Sequence, residues 1–351
     1  MDTELTFRRA PLLSVVIAAF NVAPFIERCL RSVFTQAESW AFEVVVVDDG
    51  STDSTLEIIK LTADYYPAVT CKIITQINQG LSDARNIGVT HAVGPYIVFL
   101  DGDDSWSPSF VQEVLPALCD EQADIIEFDA AIVDESDGFI GRLDICPKSA
   151  NGFREITEAA REDFARRFHN FAWARIFRSN LVKNIRFPTR RHYEDAATVP
   201  SLMLLAKTIF YVPVSLLNYR RRTDSITQCF KKKDVLDLCL SLDDILGASD
   251  KFDMDRKYWI LIFDGILSRA CFVTSHLSGS EAIAAKKEIV KKIVQLHDGQ
   301  AILASLKICQ ILFFIRFESD KNRLKKFLKT VIFGRGIFVM FDQKKRQRGQ
   351  L

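Results

Sequence analysis

Five apolar residues, Tyr96–Leu100 (YIVFL), run straight into Asp101-Gly102-Asp103-Asp104. A continuous apolar run is the pattern of a strand buried on both faces. Open α/β sheets receive their ligands beyond the carboxyl ends of such strands. An acidic turn at that place delivers carboxylates to a site, and Gly102 lets the backbone turn tightly and approach a ligand. Asp101 and Asp103 form an Asp-x-Asp pair. Hard oxygen donors at that spacing suit Mg²⁺ or Mn²⁺ bridged to substrate phosphates. An isolated Asp-x-Asp is also an ordinary turn before a helix, here one starting near Pro108, so the rest of the chain has to decide.

The same construction recurs upstream. Leu12–Ala19 reads as a buried strand, followed by Phe20-Asn21 and by a helix with Pro24 at its first position and Phe25, Ile26, Leu30, Val33 and Phe34 on one face. Phe42–Val47 is a second strand, ending in Asp48-Asp49-Gly50-Ser51, and Ser54 with Glu57 makes a capping box for the next helix. Val69–Thr75 is a third strand, and after Asn78-Gln79-Gly80 a helix capped by Ser82 carries Asp83, Arg85 and Asn86. The alternation predicts an α/β fold: a Rossmann-like, mostly parallel sheet flanked by helices. Three strands then end in polar groups on one edge, where a nucleotide would sit. An aspartate accepts a hydrogen bond from a base N–H or a ribose hydroxyl, and Phe20 offers a ring to the base. Neither standard glycine-rich phosphate loop is present. Neutralising the phosphates then falls to a metal on Asp101 and Asp103, with Arg85 as a bidentate partner.

Regularity drops beyond this point. The pattern gives a helix over Pro108–Cys119, a strand over Ala123–Val133, a polar hairpin or loop over Asp134–Phe153 and a helix over Thr157–Phe168. Short strands are expected at Trp173–Phe177, Phe210–Val212 and Ser215–Tyr219, and helices from Val235. This places 1–230 in an α/β domain and 231–351 in a helical C-terminal region with a basic amphipathic tail. Glu194 and Asp195 precede an apolar helical stretch, Thr198–Ala206. They read either as acids complementing a helix dipole or as a second acidic site. The run Arg220-Arg221-Arg222 before Ser225-Ile226-Thr227 reads as a solvated loop or as cations reaching a diphosphate, with Arg222 as the candidate.

The net charge of +1 over 351 residues argues against nucleic acid as a partner. Eight scattered cysteines without a Cys-x-x-Cys pair suit reduced core thiols in a cytosolic protein. The polar start MDTELTFRRA suggests no secretory leader, and no run of 18 apolar residues suggests a spanning helix. The charge is uneven: 307–348 holds twelve Lys/Arg against three acids, a net +9 in a chain that carries +1. Interleaved with Phe313, Phe314, Phe317, Phe327 and Phe333, these cations describe either a helical cap or a helix lying in a membrane interface.

Taken in order, SVVIAAFN, VVVVDDGSTDST, NQGLSDARNIG, YIVFLDGDD, FAWARIFRSNLV, YEDAATVP and YRRRTDSIT resemble the family 2 glycosyltransferases, inverting enzymes with the GT-A fold, over Ser14 to about Thr227. The family's Pro-x-Tyr-Asn is Ala18-Ala19-Phe20-Asn21 here, which keeps the ring and loses a hydroxyl. The resemblance implies a metal-dependent hexosyl- or N-acetylhexosaminyltransferase of bacterial capsule, exopolysaccharide or O-chain synthesis. It implies a UDP-linked donor, a saccharide or lipid-linked acceptor, and a place in the cytoplasm or on the inner face of the plasma membrane. Asp49 would bind the uracil, with Asp48, Phe20 and Asn21 beside it. Asp101, Gly102 and Asp103 would hold the diphosphate with Mn²⁺ or Mg²⁺, supported by Arg85 and Arg222. Asp195, or its neighbour Glu194, would be the general base. A nucleotidyltransferase or a non-catalytic scaffold for polysaccharide assembly are the alternatives.

Overall fold

The structure, a computed structural model, describes residues 10–37, 42–223, 225, 229–251 and 256–295. The chain splits into two compact units between Cys229 and Phe230. The first begins with β1 (Leu13–Ala19), α1 (Ala23–Ala37), β2 (Phe42–Asp48), α2 (Thr55–Tyr65), β3 (Thr70–Thr75), α3 (Leu81–His91) and β4 (Tyr96–Asp101). It continues with β5 (Ser105–Trp106), α4 (Phe110–Asp120), β6 (Ile125–Val133), β7 (Phe139–Leu143), β8 (Gly152–Glu155) and α5 (Glu158–Arg167). After a 3₁₀ turn at Ala172–Ala174 come β9 (Arg175–Arg178), α6 (Ser179–Asn184), α7 (Glu194–Leu205) and β10 (Thr208–Arg220).

The strands form one sheet in the order β3-β2-β1-β4-β9-β6-β10-β5, with β7 added to β6 and β8 to β10. Pairs β1–β2, β1–β4, β2–β3 and β6–β10 are parallel, whereas β9 runs antiparallel to both β4 and β6. Every residue of β1 and β2 is buried, so their unbroken apolar runs are what helices on both faces require. β3, at the sheet edge, is only half-buried. The architecture is the expected α/β sheet flanked by helices.

Several local expectations need correction. Ser54 makes no capping bond; Asp53 caps instead, accepting Thr55 N at the start of α2 (3.0 Å) and Ala23 N at the start of α1 (3.1 Å). One carboxylate between two helix N-termini meets two positive dipole ends at once, which a neutral serine cannot do. Ser82 lies inside α3, which begins after Gly80. Trp173 sits in the 3₁₀ turn rather than in a strand. The two short strands expected at 210–219 are one strand, β10, whose register shifts between Val212 and Leu217. Pro213 lies in that interval and has no N–H for the ladder.

The second unit holds α8 (Lys232–Lys251), α9 (Arg256–Ser275) and α10 (Gly279–Gln295). Val235, Leu238, Leu242 and Ile245 on α8 are buried, as are Ala282, Ala285, Ile289 and Ile293 on α10. Both sets follow the three-and-four spacing of one helix face. α9 contains the window Lys257–Ser275, long and apolar enough to cross a membrane by length and composition, yet over half of it is buried within the fold. Among the described residues seven cysteines are free thiols; Cys29, Cys146 and Cys239 are core residues, while Cys119 and Cys229 are exposed. The basic tail expected over 307–348 lies outside the described residues.

Candidate active site

Strand register brings the predicted acids together. Ala19 pairs with Asp48 and Ala18 with Asp101, so the ends of β2 and β4 flank the end of β1 at one level of the sheet. The order β2-β1-β4 reverses direction at β1, the crevice where open α/β sheets bind ligands. Gly102 lies against β1: its N–H donates to Ala18 O (2.9 Å). A Cβ there would stand 3.1 Å from Ala18 O and from Val22 Cγ2, so the acidic turn is seated by the absence of a side chain.

On the β1–β2 side, Phe20 is 43% exposed at the rim. Asn21, at φ 51°, spends its side-chain oxygen on Thr52 N (2.8 Å), tying the end of β1 to the β2–α2 loop. Asp48 is buried, with Oδ2 accepting Ser51 N (3.3 Å) and Oδ1 without a partner. Asp49 accepts from Gln76 Nε2 (2.6 Å) and Gln79 N (2.9 Å) on Oδ1 and from Gly80 N (2.7 Å) on Oδ2. It thereby caps α3, the helix that Ser82 was expected to cap. Gly50, at φ 74°, passes so close that a Cβ would lie 2.8 Å from Asn78 N.

The Asp101–Asp104 turn is braced from β10. Asp104 Oδ1 accepts Arg220 N (2.7 Å), and Arg220 Nε donates to Asp103 O (2.8 Å). Arg220 is buried, its guanidinium also pairing with Asp137 and lying 4.9 Å from the Phe25 ring centroid. The cationic run therefore divides. Arg220 is structural, Arg221 is exposed, and Arg222 Nη1 approaches Asp103 Oδ2 at 3.1 Å. Ile226 and Thr227 lie outside the described residues. Burial, with Asp101 adjacent, pushes the Asp103 carboxyl up to about 6 despite Arg222.

Arg85 and Glu194 form the junction that sequence reasoning did not find. Arg85 is 3% exposed; Nη2 contacts Asp101 Oδ1 (2.7 Å) and Nη1 contacts Glu194 Oε1 (2.5 Å). The expected nucleotide supporter thus has both terminal nitrogens on carboxylates. The sequence carried no hint of it, since Arg85 has Asp83 and Glu194 has Arg190 and Arg191 as nearer oppositely charged neighbours in the chain. Asp195 is half-buried at the start of α7, behind Tyr193 in a left-handed conformation (φ 57°). Burial and neighbouring Glu194 push its carboxyl up to about 7, against the pull of Arg85.

Residues 14–186 match the family model Glycosyl transferase family 2. Over that segment, about half of its length, the chain is similar to that family. It is 28% identical to the glycosyltransferase GlyA of Streptococcus pneumoniae over 63% of this chain and 32% of GlyA. It is 27% identical to the uncharacterized glycosyltransferase YibD of Escherichia coli over 63% of this chain and 64% of YibD. The chain thus spans less than two thirds of either relative. The crystal structure of S. aureus TarS superposes with a TM-score of 0.66 at 20% identity, covering 89% of this chain and 91% of the TarS chain. That likeness extends to the fold.

Proposed function

We propose that this family 2 enzyme transfers a hexosyl or N-acetylhexosaminyl group, with inversion, from a UDP-linked donor to a hydroxyl of a saccharide or lipid-linked acceptor. The setting is assembly of a bacterial surface polysaccharide. The observation that carries the proposal is the Arg85 junction. It holds the Asp-x-Asp turn and the acidic start of α7 at one edge of the sheet. A nucleotide site and a candidate base then share one crevice. The solved TarS structure contains UDP-GlcNAc, which supports a UDP-sugar as donor here.

In this reading Phe20 packs on the base, and Asp49, with Asp48 beside it, accepts the base N–H. The unpartnered Asp48 Oδ1 and the spare lone pair of Asp49 Oδ2 are the available acceptors. Arg222 reaches the diphosphate. Among the described residues no group of three or more His, Cys, Asp or Glu side chains surrounds a cation position. The donors are Asp101 and Asp103 alone. That set fits Mg²⁺ or Mn²⁺, which bind through one or two carboxylates and leave the remaining positions to substrate phosphates and water. Such an ion would supply charge stabilisation for the departing diphosphate. Asp195 takes the proton from the acceptor hydroxyl as that oxygen attacks the anomeric carbon from the face opposite the nucleotide. Its partly buried carboxyl, titrating near neutrality, suits a general base. Glu194, held by Arg85, is not directed to that task.

The chain acts in the cytoplasm, docked on the inner face of the plasma membrane through its basic tail, where lipid-carried acceptors are presented. The deciding experiment incubates the enzyme with a panel of UDP-sugars and Mn²⁺ and measures both UDP and pyrophosphate. UDP release from one donor, accelerated by an acceptor, is expected. Pyrophosphate release would instead indicate a nucleotidyltransferase, and neither product a scaffold.

A further inference from the structure

Two consecutive side chains on α3 reach out of the β1–β3 half of the sheet. Asn86 exchanges two hydrogen bonds with the backbone of Phe187, accepting its N–H (2.9 Å) and donating to its O (2.8 Å). Arg85 bridges Asp101 and Glu194. The guanidinium lies 5.8 Å from the Phe99 ring centroid and 5.4 Å from that of Phe187, so ring faces limit its movement. The helix itself is fixed at both ends. Asp49 holds Gln79 N and Gly80 N, and Gly88 lies so close to β1 that a Cβ would fall 2.2 Å from Val16 Cγ1. α3 is thus a rigid bracket that grips the segment leading into α7 at Phe187 and the start of α7 at Glu194.

Successive residues on a helix project about 100° apart. Fastening Glu194 to Arg85 therefore fixes the direction of Asp195. The same guanidinium holds Asp101, so one planar, five-donor group sets both ends of the spacing between the Asp-x-Asp turn and the base. A lysine, with one point charge, cannot span two carboxylates in this way. We infer that Arg85 is a positioning residue: it acts through Glu194 and Asp101 to set the distance and aim of Asp195, and it does not contact the nucleotide. The assignment rests on the proposed role of Asp195 as base.

The test is a double-mutant cycle on the full chain with Arg85→Gln, Glu194→Met and the double variant. It reads kcat and donor KM by UDP release, UDP affinity by calorimetry, and Tm. A displacement of about 1 Å at a catalytic group costs on the order of 100-fold in rate. Each single variant is expected to lose roughly that much kcat, with UDP affinity and donor KM held to within about threefold. The double variant is expected to match the worse single one to within about threefold, because both break one strut. Arg85→Lys is expected to stay at least about tenfold below wild type in kcat. Losses that multiply in the double variant, or a fall in UDP affinity in Arg85→Gln beyond that of Asp101→Asn, would show an independent nucleotide contact and overturn the assignment. So would a lowered Tm with kcat unchanged, which marks a purely structural part. If Arg85→Gln does not fold, Arg85→Lys decides by the same split: kcat lost with UDP affinity held supports positioning, and the reverse overturns it. A wild-type chain that releases UDP while the cycle is additive removes only this assignment; one that releases none from any donor removes the functional reading, and this with it.

Discussion

Asp195 carries the plainest consequences at the scale of single residues. Asp195→Asn keeps the shape and loses the proton acceptor. Because the base acts on the acceptor, kcat is expected to fall by two orders of magnitude or more, about 100-fold being typical of a general base, with UDP affinity unchanged. Steady-state kinetics beside calorimetry checks this, and a dead Glu194→Gln with an active Asp195→Asn would exchange the two roles. The raised carboxyl also sets a pH dependence. Its surroundings are Glu194 and Asp101, which raise it, and Arg85, which lowers it. A base must be ionised, so kcat/KM is expected to climb as pH rises through about 7 and then level off. Stability runs the other way. An unfolded aspartate titrates near ~3.9. Between that pH and about 7 the folded chain binds more protons than the unfolded one at this position. Stability from this group therefore declines as pH rises through the window. Asp195→Asn is expected to raise Tm relative to wild type at pH 8 and to leave it unchanged at pH 4, by scanning calorimetry.

Elements show where the sequence was legible and where it was not. The runs ending at Ala19, Asp48 and Asp101 were readable because burial on both faces demands unbroken apolar residues, a signal contained within each strand. Their meeting at one edge followed from the alternation of strands and helices. The caps were misread because Asp53 reaches Ala23 and Asp49 reaches Gly80 across 30 and 31 positions, separations that no local pattern records; only the Asp53–Thr55 bond is local. The Arg85–Glu194 contact spans 109 positions and was invisible for the same reason. Asp49 illustrates the overlap of fold and function within one element. Asp49→Ala removes three hydrogen bonds to a charged acceptor at the start of α3. A buried charged hydrogen bond is worth about 1.5–3 kcal/mol. The variant is expected to lose at least that much stability in urea as well as UDP affinity. Asp48→Asn, which leaves the cap in place, is expected to affect UDP affinity alone. Gly50→Ala is expected to be destabilised by about 1–3 kcal/mol without any ligand, since a side chain there meets backbone at a left-handed φ.

At the scale of the whole molecule the charge is divided between regions of different use. A net +9 over 307–348 leaves the remainder acidic in a chain of net +1. On the proposed reading an enzyme that consumes anionic sugar nucleotides gains nothing from an acidic body, so the concentration of cations in one region is matched to a separate anionic partner. The proposed docking on a bacterial inner leaflet would supply such a partner. Each Lys or Arg near an anionic surface contributes about 1 kcal/mol, falling away beyond a Debye length. The interleaved phenylalanines supply the apolar contribution that makes such binding more than a diffuse attraction. The prediction is made for the intact chain: it sediments with vesicles containing phosphatidylglycerol and is released by high salt, while purely zwitterionic vesicles retain little. Replacing Lys325, Lys326, Lys329, Lys344, Lys345 and Arg346 by Gln is expected to abolish sedimentation. UDP release with a soluble acceptor is expected to be unchanged, because every side chain assigned to the crevice, from Phe20 to Arg222, is left intact. Equal binding to both vesicle types, or binding that survives the six substitutions, would leave the tail as a helical cap and return the acceptor question to the catalytic unit.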